Sequence, residues 1–167
     1  MNEQNLESFG FKFGISGAHS ARSMMIEELT ELFALYPKGA SLGQIKDDVV
    51  TFNCLHKPTE NSRKLTYRHL TELYSLDTRV CLFRNLMRLW ANANEVTRPI
   101  LAFQLAYCRD PLLRASALPL MIDYRPGDTI TREQTEALIE SHNPGAYSAA
   151  SLKSFAQNIN GSLTQAG

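Results

Sequence analysis

Basic and small polar side chains are concentrated between residues 57 and 68 of the chain. The group comprises Lys57, Asn61, Ser62, Arg63, Lys64 and Arg68. Lys and Arg contact the phosphates of DNA, whereas Asn, Ser and Arg also reach the edges of the bases. A recognition helix presents this mixture on its outer face, chiefly in its first turns. The pattern therefore indicates DNA contact, but ordinary surface arginines of a helix would produce it too, and the pattern alone leaves both interpretations open.

A second and weaker group lies near the end of the sequence. In the segment YSAASLKSFAQNI, Ser151 and Lys153 lie among other small and polar residues on the expected outer side of a helix. Small side chains allow a helix to approach the floor of a major groove closely. Because Lys153 is the only basic residue there, a structural or protein-contacting helix remains the alternative interpretation.

The formal charge is distributed unevenly although it sums to zero. The 17 basic and 17 acidic residues divide into a net charge of −3 for residues 1–55, +5 for 56–109 and −2 for 110–167. A basic band is what a phosphate-binding face requires. The same band would also suit an acidic protein partner, or ordinary solvated helix surfaces with acidic neighbours in space.

Patterns typical of catalytic, metal and cofactor sites are absent from the sequence. The four histidines, His19, His56, His69 and His142, do not have metal-ligand spacing, and neither a phosphate-binding glycine loop nor a nucleophile elbow occurs. His56 lies close to Cys54, but no third group that would orient a thiol nucleophile can be named. The sequence therefore predicts no catalytic residue, no metal, no cofactor and no small-molecule substrate.

Cysteine usage and hydropathy bear on the cellular compartment. Cys54, Cys81 and Cys108 are odd in number and widely separated, which is typical of free thiols in a reducing environment. The N-terminal MNEQNLESFG lacks a signal-peptide pattern, and no apolar run reaches the roughly 20 residues that span a bilayer. We expect a cytoplasmic protein without a membrane partner.

Helical periodicity dominates the sequence after its first residues. Phe9, Phe11, Phe13 and Ile15 alternate with small or polar residues, which predicts an extended segment at the N-terminus. Beyond it, amphipathic helices are expected to start at capping residues; these are Ser20, Ser41, Thr59, Asp77, Asp110, Thr131 and Ser148. A further helix is expected to start at Thr97, with Pro99 in its first turn. The expected fold class is mainly α: a compact multi-helix domain with about seven helices and little or no sheet.

Two pairs of predicted helices have the spacing of helix–turn–helix units. The first pairs 41–52 with 59–74 and contains the first basic group; the second pairs 131–141 with 148–164 and contains Ser151 and Lys153. The second pair resembles a winged helix–turn–helix that lacks its wing. We therefore predict an N-terminal helical lobe over residues 1–110 and a C-terminal helical lobe over residues 111–167.

Three segments resemble the small accessory A subunits of BREX bacteriophage-exclusion systems. They are FKFGISGAHSARSMMIEELTELF, VVTFNCLHKPTENSRKLTYRHLTELYSLD and YSAASLKSFAQNINGSLTQAG. The resemblance touches most of the chain, but in helical patterns without a diagnostic motif. It implies a mainly helical, non-enzymatic protein that binds double-stranded DNA beside the other phage-defence subunits. It places the contacts at Lys57, Arg63, Lys64 and Arg68 in the first unit, and at Ser151 and Lys153 in the second.

Two functional hypotheses follow from the sequence. The first is a duplex-binding accessory protein whose affinity comes mainly from phosphate contacts of the basic band. The second is a protein–protein adaptor whose basic band meets an acidic partner subunit, which the zero net charge and an expected surface edge at Met24 and Met25 would favour. Both could hold together in a subunit that joins DNA to a larger protein.

Overall fold

Nine α-helices form the fold in the part of the chain that the computed structural model describes, namely residues 2–15, 17–125 and 127–167. Those residues contain no strand, so the predicted mainly-α class is confirmed. A 3-10 turn (Ala18–Ser20) precedes the second helix, and a π-helical turn (Asp47–Thr51) continues the third. The helices are α1 (Glu3–Phe9), α2 (Ile26–Leu35), α3 (Leu42–Lys46), α4 (Glu60–Tyr74), α5 (Cys81–Trp90), α6 (Thr97–Arg109), α7 (Pro111–Asp123), α8 (Arg132–His142) and α9 (Ala149–Ala166).

The prediction of an extended N-terminal segment was wrong for residues 3–9, which form α1. The Asn2 side chain accepts a hydrogen bond from the Asn5 amide at 3.1 Å, and Gly10 ends the helix at a left-handed φ of 114°. Backbone groups at both ends of this short helix therefore have local hydrogen-bond partners. These caps favour a helix over residues 3–9, because the alternation of apolar and polar residues begins only at Phe9. The chain is extended after Gly10, but without pairing in a sheet.

Most of the predicted helix starts are confirmed. Thr59 and Thr131 cap α4 and α8 in reciprocal capping boxes, while Ser41, Asp110 and Ser148 each accept a hydrogen bond from the amide three residues later. The capping rule succeeds at these positions because the bond that it describes joins residues only three apart.

Helices α2 and α5 begin later than the sequence suggested. Residues 18–20 form the 3-10 turn, and Met25, at a left-handed φ of 51°, precedes α2. Asp77 accepts the Arg79 amide at 2.9 Å in a turn and does not cap α5. In both places a side chain forms a hydrogen bond with the backbone of a turn before the helix starts: Ser20 with Gly17, and Asp77 with Arg79. Ser, Thr, Asn and Asp side chains offer the backbone such bonds as an alternative to those of a helix.

Helix α7 continues through Pro119 to Asp123, whereas the sequence suggested that this proline would end or kink the helix. A proline inside a helix removes one backbone hydrogen bond. Leu120 directly after it is 4% exposed, so burial of this side chain gives the continued helix an apolar contact that offsets part of that loss.

One apolar cluster forms the core and draws on both predicted lobes. It extends from Ala18 and the α2 residues to Leu113 of α7, Ile139 of α8 and Ile159 of α9. Helices α8 and α9 lie side by side, since the Thr135 hydroxyl still donates to Asn160 Oδ1 at 2.7 Å far from their connection. The boundary at residue 110 stays a prediction, and residues on both sides of it contribute to the same core.

Candidate nucleic-acid interface

Helix α4 carries most of the residues predicted to contact DNA. Its capping box joins Thr59 and Ser62, whose side chains each bond the other's backbone amide at 3.1 Å. Leu70, Leu73 and Tyr74 are fully buried and attach the helix to the core. The apolar face therefore fixes the helix, and its opposite face and N-terminal turn are left to solvent.

Three of the predicted residues share the exposed face of α4. Asn61, Lys64 and Arg68 are all exposed, and their spacing of three, four and seven residues places them along one side of a helix. Ser62 is half-buried and is used in the capping box. The structure thus places these three residues, which the sequence singled out, together along one exposed side of α4.

Acidic neighbours on the same helix pair with the two exposed cations. Lys64 Nζ lies 2.6 Å from Glu60 Oε1, and Arg68 Nε lies 3.1 Å from Glu72 Oε1. The hydrogen bond and charge of Lys64 lower the pKa of the Glu60 carboxyl. Exposed pairs of this kind are weak, but each acid offsets part of the positive field, so α4 attracts phosphates less strongly than its count of basic residues suggests.

Lys57 and Arg63 occupy more enclosed positions than the other predicted cations. Lys57 Nζ pairs with Glu28 of α2 at 2.8 Å, and its amide donates to Asn53 Oδ1 at 2.7 Å. Arg63 is half-buried, with its Nε enclosed and without a hydrogen-bond partner among the described residues. The outer-face position that the recognition-helix pattern predicts for the whole group is therefore wrong for Arg63, which lies at the edge between the buried and outer faces of α4.

The helix–turn–helix spacing of residues 41–74 corresponds to two helical segments that pack together. The π turn (Asp47–Thr51) closes with Phe52 donating its amide to the Asp47 carbonyl at 3.0 Å, and this turn packs against α4. π turns arise where an extra residue is accommodated within a helix, and they are frequent at functional sites. The pairing supports α4 in addition to the contacts that it makes with α6 and with the 3-10 turn.

Ser151 and Lys153 lie on α9, apart from the α4 group. Ser151 belongs to the N-terminal cap of α9, where its amide donates to Ser148 Oγ at 3.2 Å and the two hydroxyls are 3.0 Å apart. Lys153 is exposed. Helix α6 and the 3-10 turn contact both α4 and α9. The two predicted groups are therefore attached to a common support but do not form a single helical surface.

Two arginines of the basic band lie on α5 and were not singled out as contact residues. Arg84 and Arg88 are exposed, and no carboxylate among residues 2–15, 17–125 and 127–167 lies within ion-pair distance of them. Phe83, Leu86 and Trp90 bury the opposite side of the helix. The spacing of four residues on the face away from this apolar stripe was a signal that could have found them.

A buried network of a carboxylate, an imidazole and a hydroxyl was not predicted either. His19 Nδ1 lies 2.8 Å from Asp110 Oδ2, and its Nε2 lies 2.9 Å from Ser162 Oγ. This order resembles that of a hydrolytic triad, but all three residues are at most 1% exposed. Asp110 also accepts the amides of His19 and Leu113, and Ser162 accepts the amide of Met24.

This buried network links three distant parts of the chain. Burial would raise the pKa of Asp110, but the hydrogen bond and charge of His19, with the two backbone amides, outweigh it and lower that pKa. A substrate has no access to the Ser162 hydroxyl. The network therefore acts as a structural connection between the N-terminal segment, the start of α7 and the middle of α9.

The described residues contain no group of three or more His, Cys, Asp or Glu side chains arranged to hold a metal ion. Cys54, Cys81 and Cys108 are free and half-buried. Burial raises the pKa of Cys54 and Cys108, which disfavours the nucleophilic thiolate at both positions. None of the helices in the described ranges is long and apolar enough to cross a membrane.

The comparisons with known proteins leave the site to be interpreted from its own geometry. No protein-family model, curated protein or solved structure matches the chain. The resemblance to the BREX accessory A subunits therefore stays a prediction that rests on the sequence segments described above.

Proposed function

We propose that the chain is a non-enzymatic protein that binds double-stranded DNA through the exposed face of α4 and serves as an accessory subunit of a BREX phage-defence system. The observation that carries the DNA-binding proposal is the alignment of Asn61, Lys64 and Arg68 along one exposed side of a firmly anchored helix. Two cations and an amide at this spacing suit successive contacts to a phosphate backbone.

The acidic partners of the cations define how binding should behave. Phosphates must displace Glu60 from Lys64 and Glu72 from Arg68 before they gain the full charge of either. Affinity is then modest and decreases steeply with salt, because released counterions drive phosphate binding. The half-buried position of Ser62 and its role in the helix cap leave few groups for reading bases, so little sequence preference is expected.

The test is a titration of a fluorescent duplex of about 30 base pairs at two salt concentrations, with single-stranded DNA and RNA as competitors. Lys64→Gln combined with Arg68→Gln should abolish most of the binding and reduce the dependence on salt. The matched control is Lys38→Gln with Arg125→Gln, which removes an exposed lysine and an exposed arginine outside α4 and outside the basic band. Equal losses in the two double variants, or unchanged binding in the α4 variant, would contradict the proposal.

A protein adaptor is the second candidate, and exposed apolar side chains favour it. At the connection of α5 and α6, Leu89, Val96 and Ile100 are 56%, 75% and 41% exposed. Apolar groups that lie together on a surface are typical of protein interfaces. The methionine edge expected from the sequence was wrong, because Met24 and Met25 are buried.

The adaptor is distinguished from the DNA-binding protein by the same titration and by a pull-down with candidate defence subunits. The adaptor predicts co-purification with a partner that is lost in Val96→Ser with Ile100→Ser, and no shift of naked duplex by the wild type. Duplex binding without any partner capture would contradict it.

A further inference from the structure

A polar pocket lies where the segment after α1 passes α4 and the start of α7. Its volume is about 230 Å³, and its polar lining consists of Lys12, Ser20, Arg68, His69, Glu72 and Arg109. We refer to it as the cationic pocket. A water molecule occupies about 30 Å³ of liquid, so the cavity accommodates several waters or one small oxyanion.

Arg109 forms the inner wall of the cationic pocket and is held rigidly. Its guanidinium donates to the carbonyls of Gly10 at 2.7 Å, Glu72 at 3.2 Å and Thr71 at 3.3 Å. These bonds use three of the five N–H donors of an arginine. No carboxylate in the described ranges lies within ion-pair distance of Arg109, and burial lowers its pKa to about 10. The pocket therefore contains an oriented positive charge that carbonyl dipoles solvate but no anion neutralises.

Lys12 places a second positive charge beside the first. Its backbone amide donates to the Cys108 carbonyl at 3.2 Å, and its carbonyl accepts from Arg114 Nη2 at 2.7 Å, so the main chain is fixed at this residue. The ammonium group pairs with no carboxylate of the described part of the chain. Partial burial and then the charge of Arg109 lower the pKa of Lys12. Two like charges held together are unfavourable, and a bound anion would relieve this repulsion.

Glu72 is the acidic residue among the pocket's lining groups, and its two oxygens are directed to other side chains. Oε1 accepts from Arg68 Nε at 3.1 Å, and Oε2 lies 3.2 Å from His69 Nδ1. Lys12, Arg68 and Arg109 thus supply three formal positive charges, and Glu72 in the lining and Asp110 behind Gly17 supply two negative ones. Because Glu72 orients Arg68 and His69, it leaves Lys12 and Arg109 available to a ligand.

We propose that the cationic pocket binds a single phosphate group between Lys12 and Arg109, with Arg68 at its rim. A tetrahedral oxyanion fits this set of donors, because Lys and Arg supply charge-assisted hydrogen bonds from different directions. If the phosphate belongs to a duplex, the pocket anchors the α4 interface and in that respect rests on the function proposed above. A free phosphate or a phosphomonoester has the same chemistry and is the alternative source.

The test is a titration of the purified chain with inorganic phosphate at constant ionic strength, with chloride as the reference anion and the His69 ring resonances as the readout. Wild type should saturate, and Lys12→Gln should weaken binding by about tenfold or more, the effect of one charge-assisted hydrogen bond. Lys38→Gln, which removes an exposed lysine outside the pocket, should bind like the wild type. Equal responses to phosphate and chloride, or unchanged affinity in Lys12→Gln, would overturn the proposal.

Two further measurements are needed. The first shows whether Lys12→Gln still folds, and the second distinguishes an error in the pocket proposal from an error in the DNA-binding proposal. In phosphate-free buffer, Lys12→Gln should melt at or above the wild-type temperature, because the variant loses a charge that partial burial and then Arg109 disfavour; a lower melting temperature would contradict that account. Ribose 5-phosphate and the fluorescent duplex then identify the source. Phosphate binding without duplex binding supports the pocket and contradicts the DNA proposal. Saturation with phosphate together with duplex binding that Lys12→Gln leaves unchanged assigns the pocket to free phosphates, whereas duplex binding without saturation by phosphate overturns the pocket alone.

Discussion

The 3-10 turn and the junction of α6 with α7 each supply residues to both the buried network and the cationic pocket. The two regions differ in how many of their charged and polar groups have a partner within the protein. His19 and Asp110 belong to the buried network, whereas their chain neighbours Ser20 and Arg109 line the cationic pocket. In the network, every charged or polar group has a partner within the protein. In the pocket, Lys12 and Arg109 have no anionic partner among the described residues.

This difference separates a structural role from a binding role. Buried polar groups are tolerated when their hydrogen bonds are complete, and the Asp110 carboxylate with its three donors meets that condition. A buried charge without a neutralising partner is costly to the folded protein, and the buried Arg109 is in that position until a ligand supplies the opposite charge. Residues adjacent in sequence thus differ in role, one structural and the other suited to binding. Whether a residue's charge or hydrogen-bonding groups have partners within the protein indicates its role better than residue type does.

The largest effect is expected from removing the centre of the buried network. Asp110→Ala leaves the His19 amide, the His19 ring and the Leu113 amide without an acceptor, and should lower the free energy of unfolding by about 3–5 kcal/mol. Urea unfolding measures this loss. Asp123→Ala, at the exposed end of the same helix, should change stability by at most about 0.5 kcal/mol, and a similar loss in both variants would contradict the structural role.

A smaller loss is expected where the two regions meet at Gly17. A Cβ atom at this residue would overlap the Asp110 carboxylate, so Gly17→Ala should cost about 1–3 kcal/mol, as overpacking does. The same substitution at Gly43 of α3 meets only Ser41 Oγ at 3.9 Å, an ordinary van der Waals contact, and should stabilise the protein by about 0.5–1 kcal/mol. Thermal melts of both variants should therefore shift in opposite directions; shifts in the same direction would argue against close packing at Gly17.

The pH dependence of stability provides a third test of the network. Because the folded pKa of Asp110 is lowered, its contribution is present above the unfolded value of about 3.9 and is lost as pH falls through the folded value. The difference in unfolding free energy between wild type and Asp110→Asn should therefore shrink from about pH 5 towards about pH 2. A difference that stays constant over this range would show that the carboxylate charge is unimportant.

The smallest effect concerns the exposed pairs of α4. Glu60→Gln frees Lys64 and should raise duplex affinity by about 1.5- to 5-fold at low salt, a small gain because an exposed ion pair is weak. The control is Glu133→Gln, which removes an exposed acid paired with Arg132 on α8. An equal gain in duplex affinity for the control would show that the gain comes from the change in net charge and not from the release of Lys64.

The features that the sequence predicted are those that depend on near neighbours. Thr59, Thr131 and Ser148 bond to amides three residues away, and the outer face of α4 follows from helical spacing. The pairs of Lys64 with Glu60 and Arg68 with Glu72 are equally local, and they could have been foreseen from their spacing of four residues.

The remaining features depend on contacts between distant segments. Lys57 meets Glu28 across 29 residues, and Arg109 bonds to Gly10 across 99 residues. Helical periodicity carries no information on which loop meets which helix, so the cationic pocket and the buried network had no sequence signal. His19 illustrates the problem, since its neighbours in the chain reveal neither Asp110 nor Ser162 as a partner.

The contact of His19 with Ser162 has a consequence for how the protein is made. The two residues are 143 positions apart, and a ribosome adds roughly 5–20 residues per second. The segment that carries Lys12 and His19 is therefore synthesised roughly 7 to 30 s before Ser162, the hydrogen-bond partner of His19. During that interval the turn around Gly17 lacks its final hydrogen bonds, so a nascent chain acquires its complete N-terminal architecture only when α9 emerges and docks.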